Sequence, residues 1–222
     1  MPRYLRTLTP DWRRYAAAFA MVDQYSAEVT WDTLKFLSEW RQNQRGFKVE
    51  LFLYFGHGLL PRGLKLAGKP DPAYAAKVDA MFGTRQWREL WDARYDGVID
   101  AAQFRAELVN LMRWRLERDL GYQTTIPLEF TNTTGHPIYT VIFATSNDTG
   151  EKIMADVFAK HGVALERMRK LAKAERQLKK EDPGLFLADE VADMLMSGTD
   201  GREPLLPPIE PMRYTRNPMQ QH

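Results

Sequence analysis

The sequence predicts an α/β fold: two parallel strands linked by a helix, a helical insertion, and a terminal antiparallel hairpin. Three observations carry this. Short apolar runs at 16–23 (AAAFAMVD) and 47–55 (FKVELFLYF) flank an amphipathic stretch, which is the pattern of a crossover unit. The stretch from about 71 to 121 repeatedly sets helix-starting residues before an apolar stripe and a glycine after it. Residues 124–131 and 137–145 then become rich in Thr, Ile, Val, Tyr and Phe, with the turn sequence NTTG at 132–135 between them.

Each element has a local cause. The run from Ala16 to Asp23 is small and apolar until it meets an acid, which suits a strand buried on both faces. Thr30 can cap a helix that places Trp31, Leu34, Leu37 and Trp40 along one side, and Gly46 ends it. The second run is followed by a turn rich in glycine and proline, GHGLLPRG, from Gly56 to Gly63. Asp71 and Pro72 start the next helix, Tyr74, Val78, Met81 and Phe82 give its stripe, and Gly83 stops it. A short helix from Thr84 carries Trp87, Leu90 and Trp91. Asp100 with Gln103 forms a capping-box signal for a longer helix through Phe104, Leu108, Leu111 and Met112, closed by Gly121. After the hairpin, a helix from about Thr149 to Lys160 should turn Ile153, Met154 and Val157 inward. A charged helix from Ala164 to Lys180 follows, stopped by Pro183 and Gly184. From Ser197 the chain is polar and proline-rich, a tail most of which is expected to be disordered or to order only on contact. The division is therefore an α/β domain over 1–165 and a charged helix with tail over 166–222.

Composition narrows the function. Lys plus Arg is 31 against 29 for Asp plus Glu, a net charge of +2, so bulk charge alone does not bind nucleic acid or membrane. A 44% hydrophobic content with six Trp supplies a packed core. The absence of Cys removes disulfides, thiolate metal sites and Cys nucleophiles together. No apolar run approaches the roughly 18 residues that a membrane span needs, and residues 1–14 lack the apolar block of a secretory leader. The expectation is a cytoplasmic protein.

Ligands in α/β proteins sit beyond the carboxyl ends of the parallel strands. Asp23 and Gln24 end the first run and are the candidate catalytic pair, with Tyr25 stacking beside the substrate. The competing reading has Asp23 bonding the turn into the next helix. His57 and Arg62, after the second run, are candidates to line the same pocket. A Gly56-His57-Gly58 start without a nearby third glycine, and with Pro61 interrupting, reads as a tight turn before a phosphate loop. Arg113, Trp114, Arg115 and Arg118, and the bases from Arg167 to Lys180, could form a nucleic-acid stripe or a solvated face. His57, His136, His161 and His222 are scattered, so no metal site is expected, and no Gly-x-Ser-x-Gly elbow supports hydrolase chemistry.

Successive blocks resemble a known family. FAMVDQYSAEVTWDTLKFL, VELFLYF, LPRGL, DAMFGTRQWREL and HPIYTVIFATSNDTGEKIM look, in this order, like the three-Cys-motif partner protein (TcmP) family, over roughly Ala16 to Val157. The resemblance implies the C-terminal half of a class I methyltransferase sheet, Rossmann-like, whose order is strand, helix, strand, helical insertion and terminal hairpin. It further implies S-adenosylmethionine as cofactor, and a radical-SAM-like protein with three cysteines as partner. Asp23 and Gln24 would then orient a nucleophile for methyl transfer. The stretch MPRYLRTLTPDWRRY holds no glycine-rich turn to approach that cofactor. The first strands are therefore expected elsewhere, and the run at 16–23 is expected to be a bare edge prone to self-association. The alternative is a non-catalytic module that docks protein or nucleic acid through the insertion and the basic helix.

Overall fold

A computed structural model of the chain describes residues 17–24, 26–41, 48–57, 71–132, 134–162 and 206–214. Strands β1 (Phe19–Val22), β2 (Glu50–Phe55), β3 (Thr124–Thr131) and β4 (Pro137–Thr145) form one mixed sheet in the order β1-β2-β4-β3. β1 and β2 run parallel across helix α1 (Trp31–Trp40), and β4 is antiparallel to both β2 and β3. Helices α2 (Pro72–Phe82), α3 (Trp87–Tyr95) and α4 (Ala101–Arg118) make the insertion, and α5 (148–162) follows the hairpin.

The helix starts have the chemistry their sequences announce. Thr30 Oγ1 accepts from the Thr33 amide, and Asp71 Oδ1 accepts from Ala73 and Tyr74 with Pro72 in the first turn. Asp100 and Gln103 satisfy each other's backbone amides in a complete capping box. The hairpin turn is held by Asn132 Oδ1, which accepts from the Thr134 and His136 amides, while Gly135 takes φ 81°.

Alternation along β2 divides the interior. Leu51, Leu53 and Phe55 face the insertion and pack with Trp31, Leu34, Val78, Phe82, Trp87, Phe104, Leu111 and Leu116. Phe52 turns to the other face, where Val141, Phe143 and Phe158 build a smaller cluster under α5. β4 lies centrally, so its residues from Thr140 to Thr145 are buried on both faces. Tyr122 Oη donates to the buried Val49 carbonyl at 2.8 Å, tying the start of the hairpin to the start of β2.

Two expectations need correction. β1 is four residues long and is not buried on both faces: Phe19 is 54% and Met21 71% exposed. It is the terminal strand of the sheet, so one flank has no neighbour among the described residues. On α5 the inward residues are Met154, Ala155 and Phe158, whereas Ile153 and Val157 are exposed. A helix of that length shows the sheet one narrow stripe, and Phe158 claims it. Within the proline-rich tail, residues 206–214 lie extended against α4, with Pro208 buried. The charged helix expected at 164–180 lies outside the described residues.

Candidate functional site

Parallel pairing of Phe19 with Glu50 through Val22 with Leu53 brings the carboxyl ends of β1 and β2 side by side. The residues that follow, 23–24 and 56–57, therefore share one end of the sheet, where open α/β sheets place ligands.

Asp23 is exposed there. Gln24 is buried, and its amide is fully engaged: Nε2 donates to the Tyr54 carbonyl at 3.1 Å and Oε1 accepts from the Val29 amide at 3.2 Å. Its carboxamide thus pins the loop after β1 to β2, a positioning task that leaves little for a substrate. Close by, Ser26 Oγ and Tyr74 Oη bond at 2.5 Å, joining that loop to α2. Tyr25 and Arg62 lie outside the described residues.

His57 is a second buried polar group of this end, with 0% exposure. Its Nε2 shares a 3.0 Å hydrogen bond with Thr140 Oγ1, which projects from β4 opposite Phe55. Nδ1 is buried with no hydrogen-bond partner among the described residues. Burial, and secondarily the charge of Arg105, lowers its pKa to about 4. Glu129 Oε1 stands 3.8 Å from Nε2, but that carboxylate is half-exposed, so solvent screens its pull on a ring proton. His57 is therefore neutral at pH 7: one nitrogen is committed to Thr140 and the other is a buried atom unanswered among the described residues. Thr140 and Glu129 had no signal in the sequence and Tyr74 read only as part of the α2 stripe, because only strand register and helix packing bring them here.

A neutral buried imidazole has a cost in acid. The folded pKa lies below the ordinary 6.5, so the unfolded chain binds the proton more readily. Stability from this group is complete above about pH 6.5 and declines as pH falls toward 4, a loss of about 3 kcal/mol. Urea unfolding at pH 7 and pH 4 should show this decline, and His57→Gln should remove most of it. An equal decline in both proteins would assign it to the carboxylates.

The basic stripe of α4 resolves into structural pairs. Arg113 is buried, donating from Nε to Thr125 Oγ1 and from Nη2 to the Thr125 carbonyl, both at 3.0 Å. Arg115 pairs with Asp119 at 2.6 Å and lies over the Trp31 ring, 4.1 Å from its centroid. Arg118 covers Trp114 at 4.9 Å. These groups answer neighbours within the chain, and the bases from Arg167 to Lys180 lie outside the described residues. No group of three metal-binding side chains occurs among the described residues, and no described helix is long and apolar enough to cross a membrane.

No protein-family model, curated protein or solved structure matches the chain.

Proposed function

We propose that this chain is a methyltransferase-like α/β unit of the three-Cys-motif partner kind, acting as the latter half of a larger sheet that is completed at β1. One observation carries the reading: a parallel pair whose outer member is the terminal strand among the described residues, closed on the other side by an antiparallel hairpin. Strand, helix, strand, helical insertion and hairpin is the order expected of that half.

The edge is well prepared for a neighbour. The Glu50 amide donates to the Ala18 carbonyl at 2.9 Å. In a parallel ladder this directs the backbone groups of Ala18, Ala20 and Val22 to β2 and those of Phe19 and Met21 outward. The exposed Phe19 and Met21 side chains add apolar surface to the same strand.

The described residues do not fit S-adenosylmethionine. Gln24 is occupied, His57 is sealed, and Asp23 alone is an exposed polar side chain directly after β1. Any grip on a nucleoside would come from strands added beyond β1, with a radical-SAM-like protein as the partner class that the resemblance suggests. A second reading, a non-catalytic docking module, draws support from the same inward commitment of Gln24 and His57.

Sedimentation velocity tests the edge. The chain should self-associate as concentration rises, and Met21→Pro should return it to monomer, since proline removes an outward amide and spares the β2 ladder. A monomer at every concentration, or association indifferent to Met21→Pro, would remove the reading. Calorimetric titration of the isolated chain with S-adenosylmethionine should give no saturable heat. One-site binding would show that the cofactor site is complete in this chain.

A further inference from the structure

Residues 206–214 (LPPIEPMRY) run along α4 and are held largely by their backbone. Asn110 makes a two-point clamp on Ile209: Nδ2 donates to the carbonyl at 2.9 Å, and Oδ1 accepts from the amide at 3.0 Å. Arg113, already fixed by Thr125, donates from Nη2 to the Leu206 carbonyl at 2.7 Å. Asn110 and Arg113 are three residues apart and so share a helix face. Glu107 continues that face, and its charge adds to burial in raising the pKa of the Tyr214 phenol.

Two side chains of the segment go inward: Pro208 is buried and Tyr214 packs against the main core. Leu206, Ile209 and Met212 remain 70%, 59% and 56% exposed. Recognition therefore reads main-chain atoms, one proline and one tyrosine. The prolines at 207, 208 and 211 fix φ and bias the residues before them to extended backbone, which lowers the entropy lost on docking.

We propose that this face of α4 is a binding site for an extended, proline-flanked peptide, and that segment 206–214 of a second copy can take the place of the chain's own. Every contact named uses atoms that each copy carries, and none involves the connection through 163–205. Exchange between two copies would be reciprocal and would close a twofold dimer, but in the unsubstituted chain the tethered segment outcompetes it, which leaves β1 as the association that Met21→Pro abolishes. It is separate from pairing at β1, which lies on another element. The tethered segment competes at an effective concentration on the order of millimolar, so weakening the tethered copy should open the site.

Fluorescence anisotropy of a labelled LPPIEPMRY peptide, titrated with full-length chains, tests this. The peptide should bind the Ile209→Pro chain at least tenfold more tightly than the unsubstituted chain, because proline lacks the amide that Asn110 clamps. Adding Asn110→Ala to Ile209→Pro should abolish binding. A peptide with Ile209→Ala should bind like its parent, since that side chain faces solvent. Binding to neither chain, or binding indifferent to Asn110→Ala, would overturn the proposal. Should Ile209→Pro fail to fold, amide exchange at Ile209 decides whether the site is built. The amide should exchange slowly in the unsubstituted chain and fast in Asn110→Ala, and equal fast rates would overturn it.

Discussion

Trp87→Ala is expected to destabilise the chain by about 3–5 kcal/mol, the range for removing a large buried aromatic. Trp87 has 0% exposure and sits at the start of α3, in the core beneath the sheet. Its Nε1 also donates to Asp79 Oδ1 at 2.9 Å. Asp79 is the junction of α2 and α3: Arg88 reaches both of its oxygens, at 3.0 and 2.7 Å, and that hydrogen bonding holds the carboxyl below its usual range. Removing the indole opens a cavity and takes one donor from a half-buried carboxylate, so the two losses add. Trp87→Phe keeps much of the ring and should cost less than half as much. Urea denaturation reads both, and a change below about 1 kcal/mol for Trp87→Ala would mean that α3 is not packed as described.

Gly83→Ala is expected to cost about 2–5 kcal/mol, from two sources that can be separated. Gly83 ends α2 in the left-handed region, at φ 62° and ψ 19°, where a Cβ costs roughly 1–2 kcal/mol. The added Cβ would also run into Cβ and Cγ of Trp31, a core side chain with no room to withdraw, adding about 1–3 kcal/mol. Gly97 is the control. It has φ 72° with nothing within 4 Å of its missing Cβ, so Gly97→Ala should pay the backbone cost alone. Equal melting temperatures for the two variants would show that Trp31 does not press on Gly83.

What the sequence could disclose divides along the range of the forces involved. Thr30, Asp71 with Pro72, Asp100 with Gln103, and the hairpin turn act within four residues, and each was legible as a string. The parallel pair and the hairpin were legible because hydrophobic period changes along the chain. The exposure of Phe19 and Met21 was not, since an apolar run reads the same whether its second face is covered or open. Gln24 reads as chemistry at a strand end, yet its role depends on a carbonyl thirty residues away. His57 was found as a strand-end polar residue, while its burial required Thr140 from the hairpin. The docking of the proline-rich segment had a faint signal: Glu107, Asn110 and Arg113 recur every three residues on α4, a polar line beside the apolar stripe. Such a line ordinarily faces water, and only the segment's placement reveals what it binds.

The openness of β1 is most directly read by amide hydrogen exchange on a dilute, monomeric sample. The ladder predicts rapid exchange at Phe19 and Met21 and slow exchange at Ala20 and Val22, with Phe19 and Met21 becoming protected as concentration rises. Protection of Phe19 and Met21 in the dilute monomer would mean that another strand already covers that flank, and the half-sheet account would be wrong.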